Sequence, residues 1–165
     1  MKFRQVLRGV ASLANKVAGP RRSSPAATRS SDSPSIAATT PGMLQITYEP
    51  ALDGDADPGE VVWAWIPYEE DPSQGKDRPC LVIGRLDGRL AVVALTTKAS
   101  GPERDRVSVG MGLWDHERRP SYAKIDRVIL LQANGVRREG AVFPKERFES
   151  VVAAAAARKP DFQRA

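Results

Sequence analysis

The sequence predicts a mainly β domain, a small barrel with one C-terminal helix packed on it, and three observations predict it. Short β-branched and aromatic runs recur through the middle of the chain, bounded by Pro, Gly or Asp. Asp87-Gly88 separates two of these runs, where a two-residue hairpin turn needs residues that take positive φ. No helical pattern is interleaved with the strands and one follows the last of them, which argues against a βαβ sheet and for a small barrel.

Taken in order, Phe3, Val6, Leu7, Val10, Leu13, Ala14 and Val17 stand at helical spacing with Lys2, Arg4, Arg8 and Lys16 between them. That is the pattern of a short basic amphipathic helix over 2–17. Residues 18–45 are rich in Ser, Pro, Ala and Thr and read as a disordered linker, so that 1–45 form a leader and 46–160 the domain. Met43 stands just before the domain and leaves three readings of the leader open: a product of start-codon choice, a binding segment, or a tail without a role. Within the domain, 60–66 and 80–86 read as strands, 80–86 pairs with 90–97 across the Asp87-Gly88 turn, and 106–111 and 122–131 add two more. An edge strand is expected at 136–142, for about five to seven short antiparallel strands in all. Over 145–158, Phe148, Val151, Val152 and Ala155 make one apolar helical face.

The net charge of +5 is unevenly held. Residues 1–45 carry seven Lys and Arg against one acid, whereas 49–71 hold eight acids and no base, and 72–165 hold eighteen bases against eleven acids. A basic body thus follows an acidic stretch, a distribution that suits an anionic partner such as nucleic acid better than the total does. The single cysteine, Cys80, excludes an intrachain disulfide; opening an apolar run, it reads as a buried small hydrophobe. With His116 the one histidine, no metal site is expected. The apolar stretches are too broken for a membrane span or a signal-peptide core, and a cytoplasmic location is expected.

Chemistry is sought at Gln74-Gly75-Lys76-Asp77-Arg78-Pro79, a polar loop between the apolar runs 61–66 and 80–84. A guanidinium fixed at a strand entrance suits a phosphate, to which it donates two parallel hydrogen bonds. The chain has no P-loop, dinucleotide fingerprint, GxSxG elbow or HExxH motif, and Cys80 with His116 is its one cysteine–histidine combination. A protein nucleophile is therefore not expected.

Pro58-Gly59-Glu60-Val61-Val62-Trp63, then Gln74-Gly75-Lys76-Asp77-Arg78-Pro79-Cys80-Leu81-Val82-Ile83, then Val92-Val93-Ala94-Leu95-Thr96-Thr97 resemble, in that order, the MazF/PemK family of type II toxin-antitoxin toxins. The resemblance covers about residues 58–155. It implies an SH3-like barrel that forms a homodimer, with a cognate antitoxin protein as partner and DNA as a further contact through the toxin–antitoxin complex. It also implies cleavage of single-stranded RNA without metal or cofactor, the substrate's own 2′-OH attacking the adjacent phosphate to leave a cyclic phosphate. Arg78 matches the family's catalytic arginine and Thr96 its catalytic threonine. Gln74, Lys76 and Thr97 follow as phosphate or base contacts, with solvated surface as their alternative.

Two departures stand out. Ser73 occupies the position before Gln-Gly where the family usually has an acid, and Asp126-Arg127-Val128-Ile129-Leu130 lacks the family's arginine after the branched residue, moving an RNA contact to Arg127 or Lys124. Trp114, His116 and Tyr122, with Arg118 and Arg119 between, read either as a rim on which bases stack or, for Trp114 and Tyr122, as caps on the core. Trp63 and Trp65 read as packing residues. Glu69-Glu70-Asp71 precede Arg78 and either lie over it as a phosphate mimic or stay solvated; Arg78 itself has the plainer alternative of pairing with Asp77, Asp126 or an acid of the acidic stretch 49–71, and Thr96 that of an ordinary edge-strand residue. Two other function classes remain: a non-catalytic nucleic-acid- or protein-binding module on the same barrel, and a toxin acting on a protein such as gyrase.

Overall fold

A computed structural model describes residues 42–51, 53–137, 141–158 and 160–164. The helix expected at 2–17 and the linker up to residue 41 lie outside the described residues. The domain is mainly β with a C-terminal helix, as expected. Among the described residues its strands are β1 (Gln45–Ile46), β2 (Val61–Pro67), β3 (Gly75–Leu86), β4 (Arg89–Thr96), β5 (Arg106–Gly110), β6 (Ser121–Lys124), β7 (Arg127–Leu131), β8 (Val136–Arg137) and β9 (Asp161–Arg164), with helix α1 (Lys145–Arg158) before the last. They join in one sheet of order β5-β6-β4-β3-β2-β8, to which β1 is added on β3, and β7 on β4. The pairings are antiparallel except β9, which lies parallel to β7. Nine strands exceed the expected five to seven because β1 is only two residues long, the expected strand 122–131 is two, and Asp161–Arg164 has no β-branched residue to announce β9; the expected edge strand at 136–142 forms as the short β8.

Alternation sorts the side chains of β2, β3, β4 and β7 into two cores, since successive residues of a strand point to opposite faces. Leu81, Ile83, Ala91, Val93, Leu95, Val128 and Leu130 bury themselves against α1, through Phe148, Val151 and Ala155, and against Trp114 and Phe143. Val62, Ala64, Ile66, Cys80, Val82, Leu90, Val92, Ala94 and Ile129 form the second cluster on the other face. These strands are therefore nearly continuous apolar runs, as strands covered on both sides must be. Two polar ties fix the helix. Arg147 donates to the Val109 carbonyl at 2.8 Å, and Arg158 Nε donates to Asp105 Oδ1 at 2.6 Å, a bond that holds the Asp105 carboxyl below its usual range.

The Asp87-Gly88 turn forms as expected, with φ of 49° and 75°. A bulge between Val82 and Gly84 lets β1 cross β3. A Cβ at Gly84 would stand 2.0 Å from the Gln45 carbonyl oxygen, so only glycine admits the crossing. One strand expected over 122–131 is two, β6 and β7, because β4 pairs with β6 through Leu95 and Thr96 but with β7 through Leu90, Ala91 and Val92. Ile125 lies at the break, and its N–H is taken by the Asp105 carbonyl. Among the described residues, no helix is long and apolar enough to cross a membrane.

Candidate active site

The residues sought in a polar loop lie on a strand. β3 starts at Gly75, and its first residues pair with β2 as Pro67↔Gly75, Ile66↔Lys76, Trp65↔Asp77, Ala64↔Arg78 and Trp63↔Pro79. On the other edge the ladder with β4 ends at Cys80↔Ala94. Among the described residues, 75–79 thus pair with β2 on one edge and have no strand partner on the other, a place where Pro79, without an N–H, is tolerated. Periodicity missed this half of β3 because its side chains are polar.

Two residues beyond Cys80 and Ala94, Arg78 and Thr96 stand across the parting strands on one face, by alternation. Both line a cavity of about 360 Å³, together with Lys76, Thr97, Lys98 and Trp114. Arg78 also lines a second cavity, of about 190 Å³, with Tyr68, Glu69, Glu70, Lys124 and Arg127. It is the cation common to both.

Arg78 is half-buried, and its guanidinium makes no hydrogen bond or ion pair with a described residue. The pairing with Asp77 or Asp126 that would have made it structural is not formed: Asp77 pairs with Arg137, and Asp126 with Lys124 at 3.4 Å. The Thr96 hydroxyl accepts the Lys98 N–H at 3.2 Å, which leaves its own proton to donate. Thr97 and Lys76 are exposed along the same groove.

Gln74 is engaged inside the β2–β3 connection instead, its Nε2 donating to Asp71 Oδ2 at 2.7 Å. Ser73 donates to Asp71 Oδ1 from its hydroxyl at 2.6 Å and its N–H at 3.0 Å. With the Ser73 hydroxyl as the leading cause, these bonds hold the Asp71 carboxyl below its usual range. Ser73 thus braces the loop. Arg127, its side chain 13% exposed, meets Glu69 Oε1 at 3.3 Å.

The aromatic-basic stretch 114–122 is not an open stacking platform. Trp114 is 3% exposed and packs on Phe143 with ring centroids 5.0 Å apart, offering the groove only part of its back wall. Its indole N–H is buried without an acceptor among the described residues. Tyr122 is half-buried under the Arg106 guanidinium, and His116 is exposed. Arg119 grips Asp115 at 2.7 Å, and its hydrogen bonds pull the Asp115 carboxyl down to about 2. Trp65, expected to pack, is 57% exposed, because alternation turns it to the face opposite the buried Ala64 and Ile66, the face on which Trp63 lines the groove.

Cys80 is buried as expected. Burial pushes its thiol up to about 12, against the opposing pull of Arg78, so it supplies no thiolate. Sequence reading overlooked Tyr68, which lines both cavities, and Lys98. Their one available signal was position, directly after Pro67 and after Thr96-Thr97.

The fold is a mainly antiparallel β domain with a C-terminal helix, and its groove holds Lys76, Arg78 and Lys98, of which the half-buried Arg78 has no partner among the described residues. A family model described as PemK-like, MazF-like toxin of type II toxin-antitoxin system matches residues 57–157, and the chain belongs to that family. Among solved structures, a chain of the crystal structure of MazE-MazF (Form-II) from Deinococcus radiodurans is similar at 22% identity, covering 64% of this chain and 96% of that chain with a TM-score of 0.46. No curated protein matches.

Proposed function

We propose that this toxin is an endoribonuclease that cleaves single-stranded RNA by attack of the substrate's 2′-oxygen on the adjacent phosphorus. The observation that carries the reading is the unpaired, half-buried Arg78 sharing a cavity with Thr96. The new bond joins the 2′-oxygen to phosphorus while the bond to the 5′-oxygen breaks. The 2′ proton passes to solvent, the departing oxygen takes one up, and a cyclic phosphate remains. Because the nucleophile comes from the substrate, the protein has to orient the ribose-phosphate and offset charge on the phosphoryl oxygens.

Arg78 does the second with two parallel N–H donors, and the Thr96 hydroxyl donates to a non-bridging oxygen. Lys76 and Thr97 hold the strand on one side of Arg78 and Lys124 and Arg127 on the other, with Trp114 behind them; Gln74 joins only if it leaves Asp71. As part of the same reading, the protein acts in the cytoplasm as a homodimer, is neutralised by a cognate antitoxin and reaches DNA through that complex. The full chain and its Arg78→Ala variant are incubated with a long single-stranded RNA in excess chelator. Fragments ending in cyclic phosphate from the unaltered chain alone support the reading. RNA left intact in both tubes overturns it in favour of a binding module.

A further inference from the structure

The smaller cavity beside Arg78 has a composition the proposed reaction does not require. Three cations, Arg78, Lys124 and Arg127, share it with two carboxylates, Glu69 and Glu70. Both acids sit on the β2–β3 connection, which is a closed unit: the Tyr68 N–H donates to the Gln74 carbonyl at 2.9 Å, and the Gln74 N–H to the Asp71 carbonyl at 3.0 Å. Asp71 is consumed in bracing this turn through Ser73 and Gln74. Glu69 and Glu70 are thereby left at the cavity, Glu69 reaching Arg127 Nε at 3.3 Å from a side chain 54% exposed and Glu70 making no ion pair with a described residue. The arginine of this pair is mostly buried and the glutamate mostly solvated, so the glutamate is the partner that can leave.

We propose that Glu69 and Glu70 are built-in competitors for a phosphate subsite formed by Arg127, Lys124 and Arg78, so that a nucleic-acid backbone entering the cavity must displace the Glu69–Arg127 pair. The proposal rests on the reading that this groove holds a nucleic-acid backbone. A carboxylate offers a guanidinium the same two acceptor oxygens as a phosphate, with less charge, and a solvated ion pair is weak enough to be exchanged. The arrangement lowers affinity for any single strand and favours those that place a phosphate squarely on Arg127. Asp71, the third acid of the run, takes no part because its oxygens are already bonded.

The test measures binding by the full chain of an all-deoxy single-stranded oligonucleotide, which lacks the 2′-OH and so stays intact. The E69Q/E70Q variant is expected to bind it about threefold to tenfold more tightly, the range an exposed ion pair and its neighbour supply. Adding R127A removes the gain. E49Q/E103Q, which removes the same charge from exposed positions elsewhere, changes affinity by less than about twofold, and thermal denaturation confirms that each variant is folded. Unchanged affinity in E69Q/E70Q, an equal gain in E49Q/E103Q, a gain that survives R127A, or no binding by any form overturns the proposal. RNA cleavage with no tightening in E69Q/E70Q sinks the competitor and leaves the ribonuclease standing; Arg127-dependent tightening without RNA cleavage does the reverse.

Discussion

Strand β3 contains two regions that differ in everything but chain direction. Its second half, Cys80–Gly84, is flanked by β4 on one side and by β2 and then β1 on the other, and has Cys80, Leu81, Val82 and Ile83 buried in two cores. Its first half, 75–79, pairs among the described residues with β2 alone and presents Lys76 and Arg78 to the groove. The difference teaches a division of labour under the proposed function: the buried half would supply the rigidity that aims Arg78, and the groove half the space and charge for a ligand. An arginine on a mobile loop would have to be ordered by each substrate, whereas this one is ordered by folding.

Breaking the buried half has the largest expected effect. Leu81→Ala, at a fully buried position, is expected to cost about 2–5 kcal/mol of stability, read as a lower denaturation midpoint at unchanged slope. Breaking the open half instead separates chemistry from folding: Arg78→Ala is expected to lower the cleavage rate about a hundredfold to a thousandfold with little change in melting temperature. A melting temperature that falls as far as for Leu81→Ala would show that the halves are not separable. Thr96→Val, which keeps the shape and removes the hydroxyl, sharpens the picture with a loss of about tenfold in the rate and none in stability. The smallest effect is on the groove's far rim.

That rim rests on Asp115, whose folded-state pKa of about 2 lies below the 3.8 of a free aspartate. A carboxylate depressed in this way stabilises the fold fully above pH 4, and its contribution fades as pH falls from 4 towards 2. Solvent screening limits the contribution to about 1 kcal/mol or less. Acid titration of the unaltered chain beside Asp115→Asn, followed by denaturation midpoint, should show the two curves converging over that interval.

Much of this molecule was legible in the sequence, unevenly. The apolar runs, the Asp87-Gly88 turn and the helix over 145–158 were readable because burial and turn geometry act on adjacent residues. Strand β1, the split of 122–131 and the parallel β9 were not, because each depends on a partner far along the chain. Arg78 and Thr96 were proposed from their order in a family pattern and line one cavity, while Tyr68 and Lys98 beside them carried no signal beyond adjacency. Gln74 and Trp114 show what residue type leaves open: the amide donates to the neighbouring Asp71 carboxylate and the indole is buried against Phe143, positions that only the folded chain reveals.

By itself, then, the sequence determined the longer elements, the family pattern and the candidates, since these rest on short-range periodicity and residue order. Which cations stay unpaired was decided only by the tertiary structure. Asp77 lies beside Arg78 in sequence yet pairs with Arg137, sixty residues away. Alternation turns neighbours on a strand to opposite faces, and the sheet brings a distant strand to one of them. Arg78 is left open by that geometry and by nothing written next to it.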